Sequence, residues 1–139
     1  MALFLSACGS APKHAVGVTD GALAPCPSSP NCVCSQGDPG DEEHFMPPLP
    51  LHGAASDAIE RVAGIITAMP RTEIISQQDR YLHATFTSAI FRWVDDVELV
   101  VDEDAGVLHF RSASRVGHSD LGVNRKRMEA IRDAWLAAG

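Results

Sequence analysis

Residues 81–114 read YLHATFTSAIFRWVDDVELVVDEDAGVLHFRSAS, and their period decides the fold. Leu82, Ala84 and Phe86 alternate with Tyr81, His83, Thr85 and Thr87. Phe91, Trp93, Val97, Leu99 and Val101 alternate with Arg92, Asp96 and Glu98, and Leu108 and Phe110 stand opposite His109 and Arg111. A period of two with β-branched and aromatic residues is the signature of half-buried strands. DEDAG at 102–106 predicts a hairpin loop and QQDR at 77–80 a second tight connection, which brings in RTEIISQQ at 71–78 as a shorter first strand. Four strands joined by such short links are antiparallel neighbours.

Helical spacing flanks the strands on both sides. Between 54 and 69, Ala55, Ala58, Ile59, Val62, Ile65, Ile66 and Met69 form one apolar stripe. Ser56 or Asp57 is expected to serve its first turn, and Pro70 ends it. From Leu121 to Ala138, Leu121, Met128, Ile131 and Trp135 share a face with Asn124 among them. The predicted architecture is therefore α+β, in the order α-β-β-β-β-α, with both helices on one face of a curved four-stranded antiparallel sheet.

Two features break the pattern. Asp95 shares its parity with Phe91, Trp93 and Val97, so a regular strand would aim a carboxylate into the core, where it needs a partner. Either a β-bulge rotates it outwards, the simpler expectation, or Arg92, Arg111 or Arg115 meets it. The second feature is RSASRVGHSDLGVNRKR at 111–127. His118-Ser119-Asp120 has the letters of a catalytic triad, but neighbouring side chains on an extended chain diverge and cannot form its relay. Ser119 or Asp120 makes better sense as the N-cap of the last helix, with Gly117 and Gly122 allowing the turn. Arg125 and Arg127 cannot face the same way on a helix, so one of them is expected to pair with Asp95, Asp96 or Asp120. A helix N-terminus ringed by cations favours anions. Arg111, Arg115, His118, Ser119, Asn124 and Arg125 are thus candidates to line a pocket for a carboxylate or phosphate. The competing reading is a hydrogen-bond network joining strand to helix with no ligand.

The N-terminal third points to a compartment. MALFLSAC at 1–8 reads as the end of a lipoprotein signal peptide, with Leu5-Ser6-Ala7-Cys8 as its lipobox and Cys8 as the lipidated residue. Seven residues are too few for a full leader, whose apolar region alone takes about 7–15, so the expectation is a start placed downstream of the true one or a trimmed chain. Residues 9–22, rich in Gly and Ala, read as a flexible tether, and residues 23–139 as one domain. In APCPSSPNCVCSQ at 24–36, an exported protein would most naturally pair Cys26 with Cys32, leaving Cys34 over. The rival is a metal site of the three thiolates with His44, but C-x5-C-x-C is not a standard zinc spacing. DEEHFMPPLPLHG at 41–53 reads as an extended connector.

LAPCPSSPNCVCSQ, YLHATFTSAIFRWVDDVEL and RSASRVGHSDLGVNRKRMEAIR, in that order, resemble the bacterial and plastid family called domain of unknown function 1499, over about residues 22 to 137. The resemblance implies no established activity. It implies an exported, lipoprotein-type protein, and it supports the pairing of Cys26 with Cys32, because the position of Cys34 is commonly a small residue in that family.

Composition narrows the function. The 139 residues carry 45% hydrophobic side chains and a net charge of −7. Nucleic-acid binding rests on cations neutralising phosphates and is not expected. No stretch approaches the ~20 apolar residues that span a bilayer as a helix. The expected protein is a domain of the bacterial cell envelope, periplasm-facing and anchored through Cys8 to a membrane, the outer one by preference. It would bind a small anionic molecule, a lipid headgroup or an envelope protein partner without catalysis. The alternative is a small hydrolase or isomerase using His118 or His83 as base with Asp95 or Asp96. No nucleophile elbow, phosphate loop or metal spacing supports that alternative, and neither a cofactor nor a metal is expected.

Overall fold

The computed structural model describes residues 15–138, so Cys8 and the first part of the expected tether lie outside the described residues. The chain forms β1 (Val18–Thr19), β2 (Ala22–Leu23), β3 (Cys32–Cys34), β4 (Leu49–Pro50), α1 (Ala55–Thr67), β5 (Thr72–Gln77), β6 (Tyr81–Thr87), β7 (Val94–Asp102), β8 (Val107–Ser114) and α2 (Val123–Ala138). The α+β class and the antiparallel order of β5 to β8 follow the sequence reading.

The sheet is larger than the four predicted strands. It has six, in the order β3-β8-β7-β6-β5, with β4 also pairing with β8. Cys32, Val33 and Cys34 pair antiparallel with Ala113, Ser112 and Arg111, and Leu49 and Pro50 pair with Leu108 and Val107. Strands of two or three residues have no visible period, yet they cover the edge that β8 would otherwise leave open. A second correction concerns the tether. From Gly17 onwards the chain is folded: β1 and β2 form a hairpin across Asp20 and Gly21, both at positive φ, the conformation that an Asp-Gly turn takes. The backbone N–H of Gly17 donates to Glu98 Oε2 at 2.7 Å.

The core lies between the helices and one sheet face. Leu82 and Phe86 of β6, Val97 and Leu99 of β7, and Leu108 and Phe110 of β8 form one cluster with Ile59, Val62 and Ile66 of α1 and Met128, Ile131 and Trp135 of α2. The Trp135 indole N–H donates to the Pro50 carbonyl at 2.9 Å, and the Arg61 guanidinium lies 4.1 Å from the indole centroid. These contacts fix the C-terminal helix against α1 and the β4 segment. Ala54 occupies the N-cap of α1 with no side-chain hydrogen bond, so neither Ser56 nor Asp57 caps it, though Asp57 lies in its first turn.

The third strand starts late. Phe91 and Trp93 were expected within it, but β7 begins at Val94. Arg92 takes a φ of 57°, which interrupts the extended chain. Phe91 and Trp93 stack on each other instead, with centroids 4.8 Å apart, outside the core. Leu121 also leaves its predicted helix face and is exposed, because its φ of 54° places it in the turn before α2.

The other sheet face is buried as well. Thr85, Asp96, Glu98, Arg111, Cys32 and Cys34 are all buried there. The segment around β1 and β2 contributes to the cover through Gly17 on Glu98 and through the Pro25 carbonyl, which accepts from Arg111 Nη2 at 3.4 Å. The expected cystine joins Cys26 to Cys32, while Cys34 is a buried thiol.

Candidate functional site

Asp95 and Asp96 are consecutive in an unbroken ladder, so their side chains fall on opposite faces of the sheet. Asp95 lies opposite Phe86 and Ser114, and Asp96 opposite Thr85 and Ala113. The bulge expected at Asp95 is absent from this ladder; the sheet's register shift lies in β5, between Ile74 and Ser76. A cation meets each carboxylate instead.

On the helix face, Arg127 Nη2 donates to Asp95 Oδ2 at 2.7 Å. Its Nη1 donates to Asn124 Oδ1 at 2.8 Å, and the guanidinium lies 4.6 Å from the Phe86 ring centroid. Asn124 is fully buried, accepts from the Ser112 hydroxyl at 2.6 Å and donates to the Asn31 carbonyl at 3.2 Å. The Asp120 carboxylate caps α2, accepting from the N–H groups of Gly122 at 2.8 Å and Asn124 at 3.0 Å. Burial alone would raise the Asp120 carboxyl, but these donors hold it below its ordinary value. The arginine partner expected for Asp95 was Arg92, Arg111 or Arg115; the structure supplies Arg127, which the helix geometry had allowed.

On the other face, Asp96 receives Arg115 through Nε and Nη2, both at 2.9 Å, and His83 Nε2 at 2.8 Å. Burial works to raise this carboxyl; the hydrogen bonds from His83 and Arg115 outweigh it and hold it at about 2. Glu98 accepts the Tyr81 hydroxyl at 2.6 Å. Burial, then that hydrogen bond, push the Tyr81 phenol well above its ordinary value. Arg111 Nη1 is 3.9 Å from Glu98 Oε1.

The candidate pocket residues are therefore not brought together. Arg111 and Arg115 serve the face with Asp96 and Glu98, and Asn124 serves the opposite one. Arg125 lies elsewhere again, donating to the carbonyls of Glu42, Glu43 and Phe45 at 3.0, 3.1 and 3.3 Å. His118 is exposed in the bend before α2. Asp120 carries the cap, and Ser119 Oγ accepts the Leu121 N–H at 3.4 Å. His44, a member of the rival metal set, is taken up by Asp41 at 2.7 Å and by the Ser29 carbonyl at 2.9 Å.

What the structure does assemble is a cleft of about 910 Å³ at the end of the sheet where β7 begins. Its lining comes from three separated segments. The turn after α1 supplies Met69, Pro70 and Arg71; the end of β6 and the connection to β7 supply Thr87, Ser88, Ala89, Phe91 and Trp93; the bend before α2 and its first residue supply Val116, Gly117, Ser119, Leu121 and Val123. Phe86, Asp95 and Arg127 also line it. Among the six candidate pocket residues, Ser119 lines this cleft. Of the catalytic candidates, Asp95 does so, while His118, His83 and Asp96 are not part of the lining. The aromatic residues Phe91 and Trp93 were assigned to the core by their alternation; the signal that could have placed them at a site is the SAIFRW run itself, apolar and aromatic with one cation and no acidic residue.

A family model described as protein of unknown function (DUF1499) matches residues 22–135. The chain belongs to this family. Neither the curated proteins nor the solved structures contain a match to the chain. The DUF1499 match takes in the cystine, both buried carboxylate clusters and every segment that lines the cleft. All of them belong to one folded unit in this DUF1499 chain.

Proposed function

We propose that this domain is a non-enzymatic binding module of the bacterial cell envelope that holds a lipid-type amphiphile, its apolar chain in the cleft and its anionic head beside Arg71. The observation that carries this reading is the cleft's chemistry. Its volume of about 910 Å³ falls within the roughly 300–1,000 Å³ of small-molecule sites. Met69, Phe86, Phe91, Trp93, Val116, Leu121 and Val123 give it an apolar lining, and its charged floor is already neutralised by the ion pair of Asp95 and Arg127. Arg71 is exposed at the edge. A lipid anchor at Cys8 would hold such a site close to its ligand. The enzyme alternative is less well supported: His83 does meet Asp96, at 2.8 Å, but both are buried and the carboxylate is also held by Arg115, and neither His83 nor His118 lines the cleft that contains Asp95.

The test is calorimetric titration of the full chain, carrying Cys8→Ser to exclude an acyl anchor, with dodecyl phosphate kept below its micelle concentration. Saturable one-to-one binding with a negative heat-capacity change is expected. Val116→Trp, which enlarges a side chain of the apolar lining, should weaken binding by about tenfold or more, the equivalent of two methylenes kept out of the cleft. No saturable heat, or equal affinity in Val116→Trp, rejects the proposal.

A further inference from the structure

We propose that the two loops at the mouth of the cleft dock the domain onto an anionic phospholipid bilayer, a step that rests on the amphiphile reading and extends it to where the ligand comes from. Ile90 and Leu121 are 84% and 86% exposed, and Phe91 and Trp93 are 68% and 55% exposed. Ile90, Phe91 and Trp93 come from the β6–β7 connection and Leu121 from the bend before α2, yet Phe91, Trp93 and Leu121 line the same cleft.

Two observations select a bilayer over a protein partner. First, side chains as bare as Ile90 and Leu121 make little contact with their own surface, so a protein would have to supply nearly all the packing by complementary shape. A fluid hydrocarbon layer needs no such fit, and Trp and Phe suit the headgroup boundary. Second, charge is distributed against the chain's average. The molecule carries −7, but Arg71 and Arg92 are exposed at this mouth. Of the two carboxylates in the lining, Asp95 is paired with Arg127, and Asp120 keeps its charge but spends it on the N–H groups of Gly122 and Asn124 at the start of α2, which leaves Arg71 and Arg92 in excess. The mouth therefore presents cations and apolar tips to whatever approaches it, the combination that anionic lipid surfaces attract. Docked in this way, the cleft opens directly onto acyl chains.

The experiment uses the full chain with Cys8→Ser and two vesicle types, phosphatidylcholine alone and phosphatidylethanolamine mixed with phosphatidylglycerol. Trp93 is the reporter, because the second tryptophan, Trp135, is fully buried. The anionic vesicles should carry the protein up in flotation and shift its emission to the blue, with weaker effects on phosphatidylcholine. Ile90→Ser combined with Arg92→Glu should weaken vesicle binding by at least about tenfold, since each cation at an anionic surface contributes on the order of fivefold. Neither residue lines the cleft, so Ile90→Ser alone should bind dodecyl phosphate unchanged, and the double variant should keep saturable one-to-one binding. Amphiphile binding without flotation overturns the docking proposal alone; flotation without amphiphile binding supports docking and overturns the cleft reading. Undiminished flotation of the double variant overturns docking, as does a lipid-free dimer that buries Trp93.

Discussion

Arg127→Met removes the cation from a carboxylate that the strand's period forces inwards. Asp95 is buried, and its described cationic partner is Arg127, at 2.7 Å. Breaking a buried ion pair from one side costs about 3–5 kcal/mol, because the remaining charge loses its compensation. Two local features reduce that figure here. The Asp95 side chain is 12% exposed and lines the cleft, so water can solvate part of the stranded charge. Asn124 Oδ1 also keeps the Ser112 hydroxyl at 2.6 Å when it loses Arg127. The methionine retains most of the stem that packs near Phe86. The expected destabilisation is therefore about 2–3 kcal/mol near neutral pH. Urea unfolding with the cystine intact measures it as a lower midpoint at unchanged slope. Asp95→Leu in the same chain should recover most of the loss, since the pair's desolvation is removed along with its attraction, giving a coupling energy above about 1 kcal/mol. A loss under about 1 kcal/mol for Arg127→Met, or a cycle with no coupling, would show that Asp95 is solvated and that the ion pair does not organise the cleft floor.

The opposite face makes a prediction about pH. The Asp96 carboxyl is held at about 2 against an ordinary 3.8. The folded state thus gains about 2 kcal/mol that is fully present above pH 3.8 and is lost as the pH falls towards 2; Asp96→Asn should flatten that part of a stability–pH curve, and an unchanged acid limb would contradict the His83–Asp96–Arg115 geometry. The cystine closes a separation of six residues, for which chain entropy gives about 2 kcal/mol; Cys26→Ser should lower stability by that amount, and dithiothreitol should weaken the parent but not the variant.

Much of the fold is legible because β6, β7 and β8 keep a period of two, interrupted chiefly at Asp95, and end at turn residues, and because Met128, Ile131 and Trp135 keep a helical one. Even Asn124 was placed correctly in the apolar stripe, where burial is tolerable because Ser112, Ser114, Asn31, Asp120 and Arg127 satisfy it. β3 and β4 were missed because two or three residues cannot show a period. The polar alternates His83, Asp96, Glu98 and Arg111 look like a solvated face, yet they are buried, since tertiary cover and mutual pairing override the pattern. Phe91 and Trp93 read as core because a single residue at positive φ, Arg92, ends the alternation without any glycine to announce it. Arg115 and Arg127 were recognised as partners for acidic residues, but nothing local says which face each serves. The cleft was invisible for a related reason: its lining joins residues 69–71, 86–95 and 114–127, which only the folded sheet brings together.

Amide chemical-shift mapping with dodecyl phosphate discriminates most directly between the two places where this molecule concentrates polar and apolar chemistry. The cleft account predicts saturable shifts in residues 86–95 and 114–123, with the amides of Tyr81, His83 and Cys34 on the covered sheet face silent. Shifts centred on His83 and Arg111, with residues 86–93 and 119–123 unmoved, would contradict it and return the ligand to the buried cationic face.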